Sequence, residues 1–237
     1  MTTWIQKKDG EFENDLTFSA FIGFKSMDFT IKFFENIDEI DYQKRDLVIG
    51  NLFVMKPIMD KLAISRPDFY IPNELKSYAG RKIWPSTVGD VRKSIREDHL
   101  LKIFIKPQYI KQFPAQVADY LPLTSYPYQV IEDYWNCWAS EVIDIMSEYR
   151  VFINRGEIVG VKHYLGDWKI LPDFQIIENA IRDYRSKPIG FCLDFGVTNT
   201  GKTILIEMND GYAIGPYGLD PFLYARLLRD RWIELSS

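Results

Sequence analysis

Three oxygen-bearing side chains near the end of the chain could do chemistry: Asp194 in GFCLDFGV, and Glu207 and Asn209 in ILIEMND. Both runs otherwise read as apolar strands. Side chains alternate across a strand, so Glu207 and Asn209 share a face with Leu205, and Asp194 shares one with Cys192 and Gly196. The small neighbours leave space around Asp194. A carboxylate buried without a partner is costly, so this group needs a counter-charge or a cation. Two carboxylates and an amide suit a hard ion such as magnesium, whose shell is commonly completed by substrate phosphates. Nucleotide chemistry is the first expectation. The competing reading is a polar hairpin with a tight turn at Asp210-Gly211 and no ligand.

Cations on neighbouring runs would serve the same chemistry. Lys106 ends LKIFIKP, a strand closed by Pro107; its stem can pack inside while the ammonium reaches a phosphate, or it can be an edge lysine in solvent. Lys111 follows in YIKQFPA, a loop too poor in glycine to cradle phosphates with backbone N–H groups. Arg150 alternates with Glu148 in SEYRVFI and could clamp a phosphate or a substrate carboxylate bidentately, or simply pair with Glu148 at the surface. Lys162 lies on the partner strand and could reach the same side. His163 alternates away from it and reads as structural, so a histidine-based nucleophilic triad has no support.

The elements that must position these groups follow from the pattern. EYRVFI and EIVGVKHYL form a hairpin turned at Asn154, Arg155 and Gly156. PDFQIIENAIRDYRSK starts at Pro172 and spaces Phe174, Ile177 and Ile181 helically. GFCLDFGV and KTILIEMN pair around a turn at Thr198 to Gly201, and DPFLYARLLRDRWIEL closes the chain as a helix. Upstream, DLVIG reads as a buried strand, NLFVMKPIMDKLAI as partly helical, and STVGDVRKSI as a short helix capped by Ser86 or Thr87. The Pro-, Tyr- and Gly-rich stretch 65–86 reads as a connection. The fold class expected is α+β.

Composition narrows the function classes. With 237 residues, 46% of them apolar and 26% charged, the chain can bury a real core. A net charge of -4 gives no basic footprint for nucleic acid. Cys137 and Cys192 sit singly in apolar contexts and read as reduced core residues. No apolar run reaches membrane-spanning length and the N-terminus lacks a signal-peptide core, so no membrane partner and a cytoplasmic location are expected.

In this order, the strand lysine in FIKP, the EYRVFI–GEIVG hairpin, and an acidic strand residue followed by Glu-x-Asn resemble the ATP-grasp superfamily. More narrowly, YIPNELKSYAGRKIWPSTVGDV, FIKPQYIKQF, SEYRVFINRGEIVGVKHYLGD and IEMNDGYAIGPYGL are similar to the phage and bacterial ATP-grasp clade named for its arginine and lysine residues, over residues 70–219. The resemblance implies two α/β lobes clasping a nucleotide, with a small N-terminal α/β domain over 1–86 and the ATP-grasp domain over 87–237. It implies ATP and magnesium as cofactors. Arg81 would contact a phosphate, Lys106 the α-phosphate and adenine side, and Glu141, Val142 and Ile143 would line the adenine. Lys111 would join the nucleotide site if its loop closes. Arg150 would face the γ-phosphate and acyl substrate with Lys162 beside it, and Asp194, Glu207 and Asn209 would hold magnesium. The loop QYIKQFPAQ departs from the clade, which tends to have a glycine near Ala115.

The activity implied is ATP-dependent ligation of a carboxylate to an amine through an acyl phosphate, with a peptide or protein among the candidate substrates. The alternatives are an ATP- or ADP-binding module without ligase activity, acting through a partner, and a structural protein whose acidic hairpin is incidental. On the ligase reading, Asp194→Asn and Glu207→Gln should both abolish turnover and leave the fold largely intact.

Overall fold

The computed structural model describes residues 1–43, 45–65, 67, 71–108, 112–121, 124–125 and 129–237; Lys111 lies outside the described residues. The chain packs as two compact units, Met1–Tyr78 with Met146–Ser237, and Ala79–Ile145. The division into 1–86 and 87–237 concerns modules along the chain rather than compactness and stays a proposal.

The first unit begins with a parallel three-stranded sheet. Strand β1 (Thr2–Gln6) is flanked by β2 (Thr30–Phe34) and β3 (Leu47–Ile49). Helix α1 (Asp15–Ser26) precedes β2, and α2 (Leu52–Lys61) follows β3. Both start where an asparagine satisfies orphan backbone donors: Asn14 accepts from Leu16 and Thr17, and Asn51 from Phe53 and Val54.

The second unit holds a four-stranded antiparallel sheet. Its strands are β4 (Ile83–Thr87), β5 (Ile103–Pro107), β6 (Gln116–Ala118) and, after the short pair β7 (Thr124–Ser125) and β8 (Gln129–Val130), β9 (Asn136–Glu141), in the order β4-β9-β5-β6. Helix α3 (Val88–Glu97) is capped by the Thr87 hydroxyl and packs Val88, Val91 and Ile95 onto Ile105, Cys137 and Ala139. The stretch read as a connection thus contains most of β4.

The chain then re-enters the first unit and builds a second sheet. Strand β10 (Ile145–Asn154) turns at Arg155 and Gly156 into β11 (Glu157–Gly166). Both turn residues are left-handed (φ +54° and +80°), which matches the twist of a tight hairpin. Helix α4 (Phe174–Asp183) leads to β12 (Gly190–Thr198) and β13 (Thr203–Asp210), and α5 (Pro221–Leu235) closes the chain. The sheet order is β11-β10-β12-β13. Helix α5 ties both sheets together: Tyr224, Leu227, Leu228 and Trp232 share one core with Ile5, Phe24, Leu47 and Met55, and with Phe152 and Cys192. Among the described residues no helix is long and apolar enough to cross a membrane.

Two features set testable limits. Gly23 lets α1 and α5 approach closely, since a Cβ there would overlap the Pro221 carbonyl oxygen. Gly23→Ala should force the helices apart and cost about 1–3 kcal/mol in a urea titration; an unchanged midpoint would show that the contact is slack. Asp230 on α5 accepts from Asn154, Arg155 and Arg229. Burial alone would raise its carboxyl, but these donors outweigh it and hold it below its usual range. A carboxylate lowered by folding adds stability above its unfolded pKa, and that stability is lost as pH falls through the folded value. Asp230→Asn should therefore lower the midpoint at pH 7 and flatten the loss of stability below about pH 4. An unaltered pH profile would contradict the assignment.

Candidate functional site

Strand β12 is buried along its whole length, so a charged residue on it must find its partner inside the protein. Asp194, 1% exposed, finds Arg150 on the neighbouring β10, itself 6% exposed. The guanidinium donates twice, Nε to Oδ1 at 2.7 Å and Nη2 to Oδ2 at 2.6 Å, a bidentate fork. Asp194 stands opposite Glu207 on β13, and Cys192 opposite Asn209. The Asn209 amide donates to Asp194 Oδ2 at 3.2 Å and to Glu207 Oε1 at 2.9 Å. Glu207 Oε1 lies 3.9 Å from Arg150 Nη2. The three predicted ligands and Arg150 therefore form one hydrogen-bonded cluster.

The strands reach this arrangement through an irregularity. Between the Asp194–Glu207 pair and the Phe195–Leu205 pair the register shifts, leaving Ile206 as an extra residue on β13. Leu205 thus pairs with Phe195 and does not continue the row of Glu207 and Asn209, as strict alternation predicts. The Asp210-Gly211 hairpin turn is absent too: Asp210 ends β13 and accepts from Arg231 Nε and Nη2 at 2.8 and 2.6 Å.

The electrostatics follow the burial. Loss of solvent pushes the Asp194 carboxyl up to about 6, against the pull of Arg150. Burial also works against the Arg150 charge, yet the Asp194 carboxylate outweighs it and the guanidinium is held cationic above its usual range. On β11, Lys162 stands opposite Arg150, half-buried and without a hydrogen bond or ion pair among the described residues. His163 is opposite Tyr149 and meets its ring edge-on, with Nε2 buried and unpartnered.

Two contributors, Tyr164 and Tyr217, have no mark in the sequence, and a third, Glu148, has a different partner from the one weighed for it. Glu148 does not pair with Arg150; its Oε2 accepts the Tyr164 hydroxyl at 2.6 Å. Tyr164 stacks on Tyr217, with ring centroids 4.9 Å apart and planes inclined by 16°. The Arg150 guanidinium carbon lies 4.7 Å from the centroid of the Tyr217 ring. The dipeptide turn signal in GPYG locates a bend, but nothing in a lone tyrosine announces what it will stack on.

The remaining predicted residues belong to the other unit. Glu141 ends β9 opposite Ile103, and its Oε2 accepts the Lys82 backbone N–H at 2.9 Å. This sets the exposed Val142 and half-buried Ile143 beside the start of β4, where Arg81 Nη1 donates to the Ala79 carbonyl at 3.0 Å. Lys106 is on β5 opposite Trp138.

Among the described residues no group of three or more His, Cys, Asp or Glu gathers to hold a metal. The donor set of two carboxylates and an amide still fits a hard cation. One charge of the pair of carboxylates is neutralised by Arg150, leaving a net negative charge and the more open Glu207 to meet a cation that brings its own phosphates. The burial also corrects the mutational expectation. Asp194→Asn should cost about 3–5 kcal/mol because it strands a buried guanidinium. Glu207→Gln, at a side chain 28% exposed, should change stability by less than about 1 kcal/mol. Equal denaturation midpoints for the two variants would contradict the buried pair.

A family profile matches residues 78–227; it describes the ATP-grasp domain of the second family in the clade named for its arginine and lysine residues. No curated relative matches the chain. Among solved structures, it is similar to N5-carboxyaminoimidazole synthetase from Staphylococcus aureus, at 10% identity over 97% of this chain and 77% of that one, with a TM-score of 0.61. It is similar to the macrocyclase MdnC bound with precursor peptide MdnA from Microcystis aeruginosa MRC, at 13% identity over 96% and 99% of the two chains and a TM-score of 0.51. The ATP-grasp ligase PsnB, complexed with minimal precursor, Mg and ADP, matches at 9% identity over 97% of each chain, with a TM-score of 0.54. At these identities the likeness establishes the fold.

Proposed function

Because the chain belongs to the ATP-grasp family, in the clade named for its arginine and lysine residues, we propose that it is an ATP-dependent ligase joining a carboxylate to an amine, with one of the two carried on a peptide or protein. The observation that carries the reading is the joining of Arg150, Asp194, Glu207 and Asn209 in one polar cluster on neighbouring strands of one sheet, with Lys162 opposite the arginine. The peptide follows by analogy with MdnC and PsnB, solved with a precursor peptide and a minimal precursor. A cytoplasmic location is part of the same proposal.

On this reading Asp194, Glu207 and Asn209 would hold magnesium, which would screen the charge of the ATP phosphates. Arg150 and Lys162 orient the acyl substrate and the γ-phosphoryl group. A carboxylate oxygen of the substrate attacks the γ-phosphorus as its bond to the β-phosphate bridging oxygen breaks, giving an acyl phosphate and ADP. The amine then attacks the acyl carbon, phosphate leaves, and the nitrogen loses a proton to solvent. No covalent bond to the protein forms, so rate comes from positioning and from fixed positive charge facing the transferring group. Arg81, Lys106, Lys111, Glu141, Val142 and Ile143 keep their assignment to the nucleotide as part of the proposal. A second reading, a nucleotide-binding module without ligase activity, is favoured by the pairing that takes both Asp194 oxygens.

Magnesium ATP at about a hundred times its Kd should add about 2.7 kcal/mol of stability, raising Tm by roughly 5–10 °C for a chain of this size. Glu207→Gln should lose most of that rise. No shift in the wild type would sink both readings. ADP release that depends on a carboxylate and an amine supports the ligase; a shift with no release across carboxylates, amines and peptides supports the module.

A further inference from the structure

We propose that Tyr217 is a positioning residue of this site: its ring, carried on a left-handed turn, fixes the plane of the Arg150 guanidinium so that one edge is offered to an incoming phosphoryl group. The inference rests on the phosphate-facing role proposed for Arg150.

The turn is built for the purpose at some cost. Leu219 donates its N–H to the Pro216 carbonyl at 2.8 Å, and both central residues are left-handed, Tyr217 at φ +44° and Gly218 at φ +74°. Glycine is at ease there; a tyrosine is not. The strain is not offset by full burial of the residue, which is 46% exposed. Its hydroxyl makes no hydrogen bond among the described residues, so the ring face is what counts. The turn is anchored from both sides. Leu219 is buried and presses on Gly160 of β11, where a Cβ would collide with Leu219 Cδ1. Ile214 is buried and its carbonyl accepts the Tyr224 hydroxyl from α5.

What the strained ring touches is the site. It stacks on Tyr164, which is itself held by Glu148, and it covers the guanidinium of Arg150 at 4.7 Å. Arg150 spends Nε and Nη2 on Asp194. With the guanidinium carbon over the Tyr217 ring, Nη1 is the nitrogen without a hydrogen-bond partner among the described residues. The fork to Asp194 ties down two of the three nitrogens, and the Tyr217 ring adds a support on the guanidinium from a second direction. The guanidinium meets a phosphoryl group along one edge, and a cation–π contact adds attraction that does not compete with the carboxylate.

The test uses the full chain and titration calorimetry with two probes, magnesium ADP and magnesium AMP-PNP, which differ by the γ-phosphoryl group. Wild type should prefer AMP-PNP. Tyr217→Gly relieves the turn and removes the ring; it should cut that preference about fivefold while Tm stays within about 3 °C of wild type. Tyr217→Phe, which keeps the ring face, should restore the preference. An undiminished preference in Tyr217→Gly overturns the inference and leaves the proposed function standing. A large fall in Tm that Phe does not rescue also overturns it, in favour of plain packing. Failure of the wild type to bind either nucleotide overturns the proposed function and this inference together.

Discussion

The buried fork between Arg150 and Asp194 is the constraint from which the second sheet takes its order. Neither charge is tolerable alone at 6% and 1% exposure, so β10 and β12 must lie where the two side chains meet. Such a pair contributes little net stability, because desolvation of both ions consumes most of the Coulombic gain. Its value lies in placement. With the pair fixed, Glu207 and Asn209 fall into hydrogen-bond reach of Asp194, and the bulge at Ile206 absorbs the residue that would otherwise move Glu207 off this face.

Helix α5 carries that order to the rest of its unit. Its successive residues Asp230, Arg231 and Trp232 each hold a different element: Asp230 takes the β10–β11 turn, Arg231 the end of β13, and Trp232 donates its indole N–H to the Asp46 carbonyl beside β3. The N-terminal parallel sheet is thereby packed against the strands that carry the cluster. The loop between β13 and α5 is pinned at Ile214 and Leu219, which is why its exposed tip can hold a tyrosine in an unfavourable conformation.

Much of this was legible in the sequence, and what was missed has physical causes. The hairpin at Arg155-Gly156, the β12–β13 pair, α4 and α5 follow from alternation, turn chemistry and caps, and the ATP-grasp fold that the motif order resembles is the fold of the chain. Helix α1 gave no clean stripe: it buries Leu16, Ala20 and Phe24 yet exposes Phe18 and Ile22, so its period is blurred. β4 hid in a Pro-rich stretch, one of whose prolines, Pro85, lies within the strand at the sheet edge, where a missing donor is tolerated. Asp194, Glu207, Asn209 and Arg150 stood out as polar groups on apolar strands, and the structure brings the four into one hydrogen-bonded cluster. Partner choice was not readable, since Glu148 and Asp194 compete for Arg150 only in three dimensions, and the bulge that aligns Glu207 with Asp194 has no mark in ILIEMND.

The central claim is that the cluster around Asp194 receives a divalent cation and the phosphates bound to it. The most direct measurement is a crystal structure with ADP and manganese in place of magnesium, read by the anomalous signal of the metal. The account predicts a manganese peak within about 2.5 Å of carboxylate oxygens of Glu207 and Asp194, with phosphate oxygens completing its shell. A fully occupied manganese–ADP complex bound elsewhere, with the Arg150–Asp194 fork and Glu207 untouched, would contradict it.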